Sequence, residues 1–461
     1  MWRSQCLTWD VNGSRRGKGQ NTSQRTMNKQ HVHMVPAKQT TAEKVAAAVN
    51  ARELKGVDDA FYVMDVGDVV SNHQRWQRLL PRVEPFYAVK CNSDPLLLRV
   101  LYELGTGFDC ASKCEMDMVL QMGVTADKIV YANPCRQISH LQHAAKKSIG
   151  LLTFDSEAEL YKVKSVYPGA RLLLRIAPPE NYDVMYDLSE KFGCHPGDVS
   201  GLLRTARTLG LNVVGVSFHV GSGARDPEVF AASLQRSHNV FAIAEKLGFN
   251  PDIIDIGGGF YGHKGAPLSF EKAASTLNMA LDKYFPVTSN VKVIAEPGRY
   301  FASSAFTLVT SVIGKRKRLA KHRDRKNSLS EINVESETSG DNKPAFMYYM
   351  TDGVFGSFNV IIFEGTCIIP KLVKAPSSDV TFTSTLWGPT CDSLDCVRKE
   401  LPLPELHIGD WLYVENMGAY TTSTASRFNG MPIPRCHYIS EEKAWNSIFT
   451  ENGVHISGTT S

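Results

Sequence analysis

The sequence predicts an α/β fold, a (β/α)8 barrel of the TIM type joined to a C-terminal all-β domain. Three observations predict it. Between residues 60 and 300, eight short apolar runs of strand length alternate with longer segments of helical period. The runs end on polar, charged or glycine residues, as expected of a barrel that gathers its site at the carboxyl ends of its strands. After Tyr300 the alternation stops, and strand-like runs separated by Gly, Pro and Asp take over.

Taken in order, residues 1–40 are rich in Ser, Gln, Asn, Gly and basic residues with Asp10 as the only acid, and read as a disordered leader. Its Arg-rich composition loosely resembles a transit peptide, but no amphipathic helix is evident, so an untargeted tail is expected. The barrel occupies residues 60–300. Its runs are Phe86–Val89, Gly107–Cys110, Ile129–Ala132, Leu151–Phe154, Arg171–Ile176, Val213–Phe218, Ile253–Ile256 and Val291–Ala295. Crossover helices are expected between them, among others at Asp94–Leu104, Lys113–Met122, Ile138–Lys147, Ser156–Val166 and Pro227–Leu247. Residues 301–445 form the β domain, with strands at Met347–Met350, Phe358–Phe363, Thr381–Trp387, Trp411–Glu415 and Pro434–Ile439. Within it, the basic block and the Ser- and Glu-rich stretch over 315–343 read as a mobile loop. Residues 446–461 read as a flexible tail.

Composition narrows the function. With 461 residues, 43% of them hydrophobic and 21% charged, the chain is long enough for two domains with cores. A net charge of +4, spread along the sequence, gives no basic face for nucleic acid. The ten cysteines have no CxxC or zinc spacing, so no metal site is expected, and a reducing, cytoplasmic setting fits. No apolar run approaches the roughly 18 residues that cross a bilayer.

The strand-end residues carry the chemistry. Lys90 follows the apolar stretch Pro85–Val89, where a lowered pKa would make it an amine nucleophile toward a carbonyl. Read alone, it is equally a surface lysine that follows a strand. Asp255–Gly262 is a strand followed by a glycine loop whose amides can close on a phosphate; alone this is a weak signal, since it lacks the GxGxxG pattern. Glu296 and Arg299 end the eighth run, and His219, Gly221 and Ser222 end the sixth. An amine, a phosphate cradle and a carboxylate able to hold a pyridinium proton form the set that pyridoxal phosphate requires.

Eight motifs in order give the chain a resemblance to the ornithine decarboxylase family, the barrel-fold pyridoxal-phosphate decarboxylases. They are Pro-Phe-Tyr-Ala-Val-Lys-Cys-Asn, Phe-Asp-Cys-Ala-Ser-Lys, Ala-Asn-Pro-Cys, Ser-Phe-His-Val-Gly-Ser-Gly, Gly-Gly-Gly-Phe, Glu-Pro-Gly-Arg-Tyr, Trp-Gly-Pro-Thr-Cys-Asp and Asn-Met-Gly-Ala-Tyr-Thr, and the match runs from about residue 60 to 440. The resemblance implies that Lys90 takes pyridoxal 5'-phosphate covalently, that Glu296 holds the ring nitrogen protonated and that His219 stacks on the ring. It places Asp109 beside Lys90, gives Arg175 and Glu115 a supporting role, and assigns the phosphate to Ser222, Gly258, Gly259, Arg299 and Tyr420. Cys391 would return a proton to the α-carbon, with Asp392, Glu364 and Phe428 at the distal end of the substrate. It further implies a homodimer with shared active sites, with Lys191 and Asp395 pairing across the interface, and makes antizyme a candidate partner.

The chain departs from the family pattern at Phe355, Glu364 and Gly365, which stand where Tyr, Asp and His are usual, and at Tyr261, where Pro is usual. Glu364 is one methylene longer than the usual residue, so it would shorten the pocket unless its loop shifts. The expected activity is decarboxylation of L-ornithine to putrescine and CO2. Lysine or arginine is the alternative substrate, and a non-catalytic antizyme-binding regulator is the alternative of another class.

Overall fold

The computed structural model describes residues 31–186, 190–318, 345–376 and 378–449. Eight parallel strands close a barrel: β1 (Val83–Ala88), β2 (Gly107–Cys110), β3 (Ile129–Tyr131), β4 (Leu151–Phe154), β5 (Arg171–Ile176), β6 (Asn212–Phe218), β7 (Ile253–Asp255) and β8 (Lys292–Ala295). Each pairs with the next in sequence and β8 returns to β1, which is the expected arrangement. Phe86, Val130, Leu151, Leu173, Val214, Ile253 and Ile294, one each from seven strands, form a separate buried cluster consistent with a filled barrel axis.

The crossover helices are closed locally. Asp94 accepts the Leu96 and Leu97 N–H groups at the start of Pro95–Glu103, where Pro95 removes a donor that would otherwise be orphaned. Ser112 accepts the Glu115 N–H at the start of Lys113–Gln121. Further helices at Val199–Thr208 and Phe270–Tyr284 complete the outer layer around the barrel.

A separate nine-stranded sheet is built from both ends of the chain. Its spine is the long strand Phe306–Arg318, which pairs with Phe61–Asp65, Trp411–Val414 and Ala345–Met350 along different parts of its length. Phe61–Asp65 also pairs with Arg435–Glu441, and Arg435–Glu441 with Val32–Val35.

Four expectations are corrected here. The leader assigned to 1–40 is shorter, because Val32–Val35 finds a strand partner and Thr40 caps the helix Thr41–Glu53 in a reciprocal box with Glu43; residues 1–30 lie outside the described residues. Residues 315–318 belong to the long strand rather than to a loop, and the rest of the expected loop 315–343 lies outside the described residues. Phe358–Phe363 is helical, spanning the turn Ser357–Asn359 and the helix Val360–Glu364. Asp352 accepts the Gly353 and Ser357 N–H groups ahead of it, and Gly365 ends it at φ +59, a conformation glycine adopts without strain. Finally, residues 446–449 do not belong to the tail assigned to 446–461, since Ile448 is buried beside Trp445, and residues 450–461 lie outside the described residues.

Candidate active site

The site lies where the carboxyl ends of the barrel strands meet the sheet. The chain leaves β1 in one turn of 3-10 helix, Val89–Cys91, which carries Lys90. That turn is held from the other domain: the Cys91 carbonyl accepts the Tyr420 N–H at 3.0 Å and the Ser423 hydroxyl at 3.1 Å. Asn92 donates to the Gly418 carbonyl at 2.9 Å.

A cavity of about 610 Å³ opens beside this turn. Lys90, Arg175, His219, Ser222, Glu296, Glu364 and Tyr420 stand on its wall. Asp109, at the end of β2 and fully buried, ion-pairs with Lys90 from behind. Burial opposes the ammonium, yet the charges of Asp109 and Glu296 prevail and raise the Lys90 pKa. This reverses the expected lowering. The cause is Asp109, which the resemblance already placed beside Lys90 and which the β1–β2 pairing brings alongside.

His219 accepts the Gly221 N–H at Nδ1, 3.0 Å away, so the other ring nitrogen carries the proton. Burial and the positive charges of Arg175 and Lys90 hold its pKa well below the usual range, leaving a neutral ring. Glu296 is driven the other way, well above a carboxylate's range, by burial and then by the charge of Asp255. Glu115 carries a raised pKa from burial while accepting the Ala111 N–H at 2.5 Å, which braces the turn after β2.

Arg299 closes one end of the cavity. Its Nη2 lies 2.5 Å from Glu364 Oε1 and 3.2 Å from Ser222 Oγ, and the guanidinium sits 5.3 Å from the Tyr420 ring centre. Glu364 therefore stands on the cavity wall with its carboxylate turned to Arg299. The glycine loop approaches from β7. A side chain on Gly258 would meet the Glu296 carbonyl and His219 Nε2, each at 2.9 Å, so only a bare backbone fits there.

These residues fit pyridoxal phosphate. Arg299 Nε is buried without a partner, and the Gly258 backbone lies against Glu296 and His219 of the cavity wall, too close for a side chain, as a phosphate cradle requires. A lysine and a buried carboxylate stand on the wall for the aldehyde and ring-nitrogen ends.

The substrate-end residues are dispersed. Among those expected there, Glu364 is on the cavity wall, but Cys391 is exposed, its N–H donating to Asn429 at 3.0 Å. Asp392 accepts the Leu394 N–H at 2.8 Å, and Phe428, 41% exposed, stacks on Phe355 at 4.7 Å. Asp395, expected to pair with Lys191 of a second copy, is buried and accepts from Val354 and Thr390 in its own chain. Lys191 lines the cavity instead. Sequence reasoning also gave no role to Asp255, although it ends a strand directly before the glycine loop.

A closed parallel barrel with this constellation defines a pyridoxal-phosphate-dependent carboxy-lyase. Residues 66–303 match the family described as "Pyridoxal-dependent decarboxylase, pyridoxal binding domain". The chain is 46% identical to ornithine decarboxylase of Mus musculus over 388 residues, covering 84% of this chain and 82% of that one. It is 45% identical to antizyme inhibitor 2 of Xenopus laevis over 391 residues, covering 85% and 83%. The solved arginine decarboxylase of Paramecium bursaria Chlorella virus superposes with a TM-score of 0.77 at 34% identity, over 86% of this chain and 100% of the other. The chain belongs to the ornithine decarboxylase family.

Among the described residues no helix is long and apolar enough to cross a membrane, and no group of three or more His, Cys, Asp or Glu is placed to hold a metal ion.

Proposed function

We propose that this chain decarboxylates L-ornithine to putrescine and CO2 in polyamine biosynthesis. The observation that carries the reading is one cavity in which Lys90, His219, Glu296 and the Arg299–Glu364 pair meet. Pyridoxal phosphate, when bound, supplies an electron sink for the pair of electrons left as CO2 departs. Lys90 provides the amine that holds it, and Asp109 is placed to take the proton that Lys90 sheds before its nitrogen has a free lone pair. Glu296 accepts from the ring N–H. His219, being neutral, offers a flat apolar face without competing for charge. Arg299, Ser222, Tyr420 and the amides of Gly258 and Gly259 bind the phosphate, with Arg175 and Glu115 steadying the rim.

Cys391 delivers the proton to the α-carbon and Asp392 meets the distal ammonium, both from a second copy of the chain. The exposure of Cys391 and Leu394, away from the cavity of their own chain, supports a homodimer with shared sites. A carboxylate facing that ammonium selects diamino acids, because a substrate without one leaves the charge unpaired. With Glu364 engaged by Arg299, Asp392 is the freer of the two carboxylates. A cytoplasmic setting agrees with the absence of CxxC pairs among the ten cysteines of the sequence.

The test is CO2 release by the purified chain with pyridoxal phosphate, offering ornithine, lysine and arginine at equal concentration. Fastest release from ornithine supports the assignment; faster release from lysine or arginine moves the specificity to Glu364 and Gly365. The 45% identity to an antizyme inhibitor favours one other reading, a non-catalytic antizyme-binding regulator. Retention of Lys90, Asp109, Arg175, Glu296, Arg299, Cys391 and Asp392 speaks against it, and no release from any of the three amino acids would restore it.

A further inference from the structure

Asp255 takes no part in the chemistry above, yet it is fully buried beside Glu296. It ends β7, and Glu296 follows β8. The ladder sets Asp255 opposite Ile294, and the Glu296 N–H donates to the Gly257 carbonyl at 2.7 Å. Glu296 is thus two residues beyond the partner of Asp255, on the same face of the neighbouring strand end.

Asp255 Oδ1 accepts the Gly257 N–H at 2.9 Å, but its Oδ2 is buried with no donor. The charged neighbours leave that oxygen unanswered. Lys90 from β1 is engaged by Asp109 from β2, His219 from β6 is neutral, and the Arg175 guanidinium from β5 sits 5.1 Å from the Phe192 ring centre. Two carboxylates in contact and out of water do not both ionise, so the pair retains a proton. A proton between them is also the donor that Oδ2 lacks.

We propose that Asp255 is a positioning residue for the decarboxylation: it shares one proton with Glu296, and the hydrogen bond between the two carboxyl groups holds the Glu296 side chain facing the ring nitrogen of pyridoxal phosphate. This rests on the role given to Glu296 above. Its chemistry is self-contained, because the proton moves only between the two carboxyl groups. Burial, partly offset by the Gly257 N–H, pushes Asp255 up to about 7, and burial together with the Asp255 charge pushes Glu296 higher still.

The test is difference infrared spectroscopy on the full-length chain at pH 7, with and without pyridoxal phosphate. Wild type minus Asp255→Asn should contain a carboxylic-acid carbonyl band, and wild type minus Glu296→Gln should contain the same band. Other buried acids such as Asp68 and Asp352 cancel in both differences. Absence of the band from either difference overturns the proposal.

Cofactor affinity, read from the absorbance of the bound form, separates positioning from packing. Asp255→Asn offers an N–H in place of the O–H and still accepts from Gly257, so its affinity should stay within about threefold of wild type, with the pH dependence of the bound spectrum flattened. Asp255→Leu should lose at least about tenfold. Equal behaviour of the two variants, each verified as folded by circular dichroism, also overturns the proposal. A failed decarboxylase assay with the band present strikes the catalytic reading instead, whereas a missing band with activity intact strikes only the pair.

Discussion

The two ends of the cavity are built differently. At the cofactor end, Lys90, Asp109, Glu296 and His219 sit on or just beyond barrel strands, and each is fixed by a backbone ladder or an ion pair within the chain. At the substrate end, Glu364 rides on a five-residue helix, while Cys391, Asp392 and Phe428 lie on exposed turns of the sheet domain. The first end is preorganised by one chain. The second gains its surroundings from whatever covers those turns. On the function proposed, the barrel sets the reaction class and the sheet domain sets which amine is accepted.

The sharpest way to break this contrast is at Lys90. Lys90→Ala should abolish the absorption band of covalently held cofactor and cut CO2 release by roughly 10³-fold or more; a retained band would remove Lys90 from its role. Next in size, inactive Lys90→Ala chains mixed with Cys391→Ala chains should regain about a quarter of native activity, since random pairing leaves one intact site in half of the dimers. Failure to regain activity on mixing would mean that each chain completes its own site.

At the substrate end, Glu364→Asp should change the ornithine-to-lysine ratio of kcat/KM by about tenfold, the effect expected of one methylene. An unchanged ratio would leave specificity to Asp392 alone. The smallest effect concerns stability. Asp352 supports the turn that leads to Glu364, and burial raises its pKa from 3.8 to about 6. The folded state therefore binds this proton more tightly than the unfolded state, and stability falls as pH rises from about 4 to above 6. The Tm of Asp352→Asn, measured against wild type, should gain on it across that interval; a constant difference would show that Asp352 does not titrate there.

The fold was legible because barrel strands announce themselves locally. All eight apolar runs fall on the eight barrel strands, and the polar residues that end them need no partner to be noticed. What escaped depended on partners distant in sequence. Val32–Val35 is four residues long and becomes a strand only beside Arg435–Glu441. The run Phe358–Phe363 has the composition of a strand, and its helical form follows from Asp352 and Gly365 at its flanks. The Lys90 pKa runs opposite to expectation because Asp109 arrives from the next strand, and Asp255 went unassigned because its significance lies in facing Glu296.

Weaving both chain ends into one sheet has a consequence for the order of synthesis. Phe61–Asp65 is translated more than 300 residues ahead of one of its neighbours, Arg435–Glu441. Tyr420, which ties the Lys90 turn to the sheet, is also late. In a nascent chain all the barrel strands are therefore made before the segment that braces their rim. A chain stopped short of residue 420 would carry Lys90 without the contact that holds its turn in place.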